Sequence, residues 1–218
     1  MKNFKQGMLK LKVCGMRDRT NVEQLISLEP DYIGFIFYHK SPRFVGEDFS
    51  TAIPAIVPDY IRKVGVFVNE GVSYVGGKID KYGLDFIQLH GNETPGYCAN
   101  FSNRGIGVIK SFSVDDNFDF KTADDYADCC EFFLFDTKTP AFGGSGNKFN
   151  WEILNRYHLQ KPFFLSGGIA IDDIDEILSL KNLHIHALDI NSRFELHPGL
   201  KNIDMIKEFV IKIKHNRL

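Results

Sequence analysis

Short runs of apolar, β-branched and aromatic residues alternate along this chain with longer stretches of mixed polarity. The runs fall at 9–14, 32–38, 61–68, 86–89, 107–112, 132–136, 162–165 and 186–190. Several are apolar at every position, as parallel strands covered on both faces require. The intervals between them are long enough for a helix and two short loops, which a crossover between parallel strands needs. In one interval Ile171, Ile174, Ile177 and Leu178 form an apolar stripe, with Asp172, Asp173, Asp175 and Glu176 in the early turns, where the helix dipole favours negative charge. The last interval places Ile203, Ile206, Val210 and Ile213 on one face. Strand and helix alternating eight times predict an α/β fold, a single (β/α)8 barrel over 1–218, with 1–8 a short appendage before the first strand. No linker or low-complexity tract divides the chain.

Composition changes this picture little. The 218 residues are 44% hydrophobic and 25% charged, with a formal net charge of −2. Such a balance gives no field that would gather nucleic acid or an anionic membrane. The basic residues Lys212, Lys214, His215 and Arg217 read as a solvated helix end. No apolar run approaches the roughly 18 residues of a membrane span. The first residues are basic without the apolar core of a signal peptide, so the cytoplasm is the expected compartment. The four cysteines, Cys14, Cys98, Cys129 and Cys130, include no CxxC pair. They read as reduced, mostly buried thiols, and no histidine–carboxylate cluster argues for a metal.

In a barrel of this kind the active site is built at the C-terminal ends of the strands and in the loops that follow. Cys14 ends the first run. It is either a small core hydrophobe or a base whose thiolate nearby cations would favour. Asp136 ends the sixth run after four apolar residues. Burial favours the protonated form of a carboxyl, which suits a general acid, and the alternative is a cap on the next turn. Arg43 follows the second run behind Pro42 and offers a planar fork for a carboxylate or phosphate, or is simply solvated. His90 follows the fourth run and either contacts a ligand or satisfies a strand end. Gly168 follows the seventh run, and Ser192 with Arg193 the eighth. Barrels often hold a phosphate between these two loops and a short extra helix, which Pro198 and Gly199 could open. The glycine-rich segment 138–147 is a candidate mobile cover.

Together the residues resemble the phosphoribosylanthranilate isomerases of tryptophan biosynthesis. The matching pieces are Lys12-Val13-Cys14-Gly15-Met16, Gly34-Phe35-Ile36-Phe37 running to Lys40-Ser41-Pro42-Arg43, and Gln88-Leu89-His90-Gly91. Phe135-Asp136-Thr137 follows with Gly143-Gly144-Ser145-Gly146 and Phe149-Asn150-Trp151. Then come Leu165-Ser166-Gly167-Gly168-Ile169 and Leu188-Asp189-Ile190-Asn191-Ser192, with Glu195, Pro198-Gly199 and Lys201. Each motif is modest, and their joint order is specific.

The resemblance implies an Amadori rearrangement of a small sugar-phosphate substrate, N-(5-phosphoribosyl)anthranilate. Asp136 would be the general acid and Cys14 the general base. Arg43 would hold the anthranilate carboxylate, and Gly168 and Ser192 the phosphate. Proton transfers suffice, so neither metal nor cofactor is expected. The family usually has Ser-Ser-Gly where this chain has Asn191-Ser192-Arg193, so Arg193 either contacts the phosphate or points away. Other phosphate-binding barrels would need a lysine with glutamates at strand ends, or a metal cluster, and neither is apparent. A catalytically silent phosphate-binding barrel is opposed by the joint presence of Cys14 and Asp136. Oligomeric state is not legible.

Overall fold

Eight parallel strands close on themselves: β1 (Lys10–Cys14), β2 (Tyr32–Ile36), β3 (Arg62–Phe67), β4 (Phe86–Leu89), β5 (Gly107–Val114), β6 (Phe132–Thr137), β7 (Phe163–Leu165) and β8 (Ile185–Ile190). The computed structural model describes residues 9–139, 148–180 and 183–215. The 1–8 appendage and Arg217 lie outside them. β1 completes the ring, with Lys12 opposite Tyr32 of β2 on one side and Asp189 of β8 on the other.

Side chains alternate between the two faces of each strand. The outward set, which includes Val13, Ile33, Phe35, Phe67, Leu89, Phe133, Phe135 and Leu188, packs under the connecting segments. The inward set fills the barrel in layers. Tyr32, Val64, Phe86, Ile109, Phe132, Leu134, Phe164 and Ala187 close its lower part. Cys14, Ile36 and Val66 meet near the top. Apolar residues on both faces explain why the strands read as continuous runs. Their limits match the sequence expectation to within two residues.

The connections differ more. α-Helices follow five strands: α1 (Arg19–Ile26), α2 (Val72–Tyr82), α3 (Pro95–Ser102), α4 (Ile174–Ser179) and α5 (Ile203–His215). Among the described residues the other three intervals carry only 3-10 turns, at Pro54–Ile56, Phe120–Tyr126 and Trp151–Arg156. Between β2 and β3 three prolines, Pro42, Pro54 and Pro58, interrupt any helical hydrogen-bond ladder. Between β5 and β6, Asp115 and Asp119 accept from the N–H groups of Asn117 and Lys121, each at 3.1 Å, offering the backbone a turn in place of a helix. Before Trp151 the Asn150 side chain does the same for Glu152 at 3.0 Å. In α5 the fully buried positions are Ile206 and Phe209, and Val210 is only partly covered. Among the described residues no helix is long and apolar enough to cross a membrane.

At the lower end of the barrel the Tyr32 hydroxyl meets His186 Nε2 at 2.8 Å, and the Phe132 ring lies 4.1 Å from the imidazole centroid. Burial, aided by Lys10, lowers the His186 pKa to about 4. The imidazole is therefore neutral, and its tautomer sets which of the two groups, hydroxyl or Nε2, donates. Both folded and unfolded states hold it neutral above about 6.5. As pH falls from there toward 4, the unfolded chain takes a proton that the fold refuses, and stability drops. Partial exposure limits the loss to about 1–2 kcal/mol. The urea midpoint should fall between pH 7 and pH 5, and His186→Gln should flatten that dependence. Equal slopes in the two proteins would remove His186 as the cause.

Candidate active site

The inward positions turn polar toward the C-terminal ends of the strands. Lys12 and Cys14 on β1, Gln88 on β4, Asp136 on β6 and Asp189 on β8 are all buried. His90, just past β4, joins them. The cavity above encloses about 790 Å³ of empty space, part of it open solvent. Cys14, Arg43, His90, Asp136, Gly168, Ser192 and Arg193 all line it, so the fold brings these seven candidate residues to one cavity. Gly143–Gly146 of the expected cover lie outside the described residues.

Cys14 has room because Gly34 stands beside it on β2. A Cβ at position 34 would come within 2.7 Å of the thiol sulfur. Beneath it lies Lys12, fully buried, whose Nζ donates to Asp189 Oδ2 and to Gln88 Oε1, both at 2.7 Å. Burial opposes the Lys12 charge, but Asp189 and Cys14 hold the ammonium above the usual lysine value. The expectation that cations favour the Cys14 thiolate is met only in part. Lys12 and Lys201 pull its pKa down, yet burial, with Asp189, pushes the thiol above its ordinary value. A buried thiol is harder to ionise and, once ionised, a stronger base.

The bond from Lys12 fixes the next contact. Gln88 Oε1 accepts from lysine, so its Nε2 is the atom that donates to His90 Nδ1, at 2.9 Å. The remaining imidazole proton then sits on Nε2, 3.4 Å from Asp136 Oδ2. Asp136 Oδ1 accepts from the Thr137 N–H at 2.9 Å. Gly167, at φ 93°, crosses directly over this carboxylate, and a Cβ there would clash with Thr137 and lie 3.1 Å from Asp136 Oδ1. A glycine is needed at that crossing both for its backbone angle and for space. A polar chain thus runs from Asp189 through Lys12, Gln88 and His90 to Asp136.

The other side of the mouth is built on Glu195. Arg43 forks onto it through Nε, at 3.0 and 2.9 Å, and Nη2, at 2.8 Å. Arg43 is therefore buried and held rather than solvated, with its Nη1 end making no hydrogen bond among the described residues. Lys201 Nζ adds bonds to Glu195 Oε1 at 2.7 Å and Asn191 Oδ1 at 2.6 Å. Burial would raise the Glu195 pKa, but Arg43, Lys201 and the Gly199 N–H together hold it below the carboxylate range. Burial lowers Lys201 to about 8 against the pull of Glu195.

The expected helix at Pro198–Gly199 is absent. These residues turn a two-stranded hairpin, β9 (Glu195–His197) and β10 (Leu200–Lys201), and the short helical turn lies earlier, at Ser192–Phe194. Gly199 has φ 86°, which suits a tight turn. The hairpin is what brings Glu195 and Lys201 to Arg43.

Sequence reading assigned no role to Lys12, Gln88, Asp189, Glu195 or Lys201. Strand periodicity carries a signal for the first three: polar residues at inward positions of otherwise apolar strands. Asp189 Oδ1 is buried beside the cavity with no hydrogen-bond partner among the described residues.

Known proteins share both sequence and shape with this chain. The family model for N-(5'phosphoribosyl)anthranilate (PRA) isomerase matches residues 11–212. An N-(5'-phosphoribosyl)anthranilate isomerase of Parabacteroides distasonis is 41% identical over 209 residues, covering 94% of this chain and 93% of that protein. The crystal structure of phosphoribosyl anthranilate isomerase from Thermotoga maritima superposes with a TM-score of 0.84 at 31% identity, over 95% of this chain and all 100% of that one. Another phosphoribosyl anthranilate isomerase, in complex with reduced 1-(o-carboxyphenylamino)-1-deoxyribulose 5-phosphate, gives 0.81 at 28% identity over 95% and 100% of the two chains. The match runs through every strand that supplies the mouth, and the chain belongs to the N-(5'-phosphoribosyl)anthranilate isomerase family.

Proposed function

We propose that this chain isomerises N-(5-phosphoribosyl)anthranilate to 1-(2-carboxyphenylamino)-1-deoxyribulose 5-phosphate, a step of tryptophan biosynthesis. The observation that carries the reading is the convergence of Cys14 and Asp136, from β1 and β6, on one cavity. Asp136 donates a proton to the ring oxygen, and the C1–O bond breaks as the nitrogen lone pair forms an iminium. Cys14, as thiolate, removes the C2 proton, and the electrons return to nitrogen as an enolamine. A proton added at C1 and one lost from the C2 hydroxyl give the ketone. Only protons move, so the reaction draws on no redox cofactor or metal.

The lysines give the base its electrostatic support: Lys12 and Lys201 both favour the thiolate. His90 directs its Nε2 proton at Asp136 and steadies the carboxylate that remains after donation. The free Nη1 end of Arg43 takes the anthranilate carboxylate, while Glu195 holds the other edge of the guanidinium. Gly168, Ser192 and Arg193 hold the phosphate at the mouth between the ends of β7 and β8. Asp189 Oδ1 is placed to accept from a sugar hydroxyl. The reaction belongs in the cytoplasm, where the four unpaired cysteines stay reduced.

The test is to incubate the purified chain with N-(5-phosphoribosyl)anthranilate and follow carbon NMR. The anomeric carbon should give way to a methylene and a ketone. Persistence of the aldose at high enzyme concentration would defeat the reading. Arg43→Ala should raise KM by about 10–100-fold, the loss of one charge-assisted bond, and lower kcat less. A fall in kcat with KM unchanged would place Arg43 with the reacting atoms instead.

A further inference from the structure

Three of the four cysteines are unused by this chemistry, and the fold collects them away from the barrel mouth. Cys98 lies in α3 and is fully buried. Cys129 and Cys130 lie just before β6, Cys130 buried and Cys129 half-buried. None is in a disulfide. The three sulfurs all lie within 4.8 Å of one another, and those of Cys129 and Cys130 are 3.9 Å apart. Thirty residues of sequence separate Cys98 from this pair, so spacing alone gave no sign of it.

The separations have a chemical meaning. Metal–sulfur bonds of about 2.3 Å space three trigonal sulfurs by about 4.0 Å and tetrahedral ones by about 3.8 Å. The Cys129–Cys130 distance falls between these values. The nearby carboxylate is already engaged: Glu93 accepts from the backbone of Asn69 and Gly91 and pairs with Lys110 at 3.1 Å. No imidazole joins the group, and among the described residues its donors are sulfur alone. Soft thiolates select monovalent copper and zinc alike, but zinc in closed protein sites takes four ligands and three donors meet here among the described residues. Lys161 Nζ donates to the Cys130 backbone carbonyl at 2.6 Å and so ties down the segment that carries the pair. The hydrogen bond from Cys130, helped by Lys110, keeps the Cys98 thiol below its ordinary value despite burial, whereas that same bond, with burial, raises Cys130, and burial raises Cys129, so a bound cation has to displace protons that the fold holds there. Half-exposed Cys129 provides the way in from solvent.

We propose that Cys98, Cys129 and Cys130 form a three-thiolate site for a soft d10 cation, best matched by copper(I). Binding replaces thiol protons with metal–sulfur bonds and releases those protons to solvent, with no change of oxidation state.

The experiment is an anaerobic titration of the reduced full chain with copper(I) held by a chromophoric chelator. One equivalent should be withdrawn, and X-ray absorption should show three sulfurs at roughly 2.3 Å. Cys129→Ser, at the half-buried position, should weaken binding at least about 100-fold while isomerase turnover stays unchanged. Cys14→Ser should leave copper binding as it was. No withdrawal, two sulfurs in place of three, binding that survives Cys129→Ser, or binding lost with Cys14→Ser would each overturn the site. Zinc retained in preference to copper(I) would overturn the trigonal assignment. The absorption measurement uses the unaltered protein, so the proposal is decided even if a variant fails to fold.

Discussion

Asp136→Asn and Cys14→Ser should each lower turnover by about 10²–10⁴-fold, the range that general acid–base catalysis supplies, with a much smaller change in substrate binding. Asparagine keeps the shape of the acid, and its amide oxygen can still accept the Thr137 N–H, a bond now 2.9 Å long. It has no proton to give to a ring oxygen. Serine fits the space that Gly34 leaves for Cys14, and it can still receive the influence of Lys12. Its hydroxyl ionises far above the pH at which a thiol does, so the population of active base collapses. Steady-state kinetics on variants whose folding is verified by circular dichroism provides the measurement. A well-folded variant with near-normal turnover would exclude that residue from the mechanism. Loss of turnover through unfolding alone would return it to the core.

Lys12→Met should destabilise the fold by about 3–5 kcal/mol, the cost of removing one partner from a buried ion pair. Methionine fills much the same volume, so the loss is electrostatic. Asp189 Oδ2 and Gln88 Oε1 each lose a bond of 2.7 Å in a site with almost no access to water. In the variant the stranded Asp189 carboxyl has its folded pKa raised above the unfolded value. Stability tied to its protonated form is present at low pH and is lost as pH rises through the raised pKa. The deficit should therefore be larger at pH 7 than at pH 5, the reverse of the His186 effect. Lys12→Met with Asp189→Leu should recover most of the stability, since a buried pair replaced by apolar groups costs little. Denaturant midpoints at the two pH values decide the matter. A Lys12→Met midpoint within experimental error of the parent would mean that the pair contributes nothing net.

The strands were legible because the barrel buries both of their faces, leaving unbroken apolar runs such as Phe132-Phe133-Leu134-Phe135. The seven candidate residues could be singled out because each ends such a run or stands in the loop after it. The connections were less so. Apolar stripes suggest helices, but Pro42, Pro54 and Pro58, and the side chains of Asp115, Asp119 and Asn150, divert the backbone at close range. The polar floor escaped notice for another reason. Lys12, Gln88 and Asp189 are 76 and 101 residues apart in sequence and meet only once the ring closes. Likewise, Glu195 and Lys201 bear on Arg43 only because a hairpin stands where a helix was expected.

The floor of the barrel also limits how this sequence can drift. Lysine, glutamine and aspartate are interlocked on three strands, so no one of them can change alone without leaving a polar group stranded in the interior. A lineage that mutates one position at a time reaches any apolar alternative only through a weakened intermediate. The outer faces of the same strands carry no such interlock and can exchange one hydrophobe for another of similar size. The centre of this barrel is therefore expected to change rarely and in concert, while its exterior changes often and piecemeal.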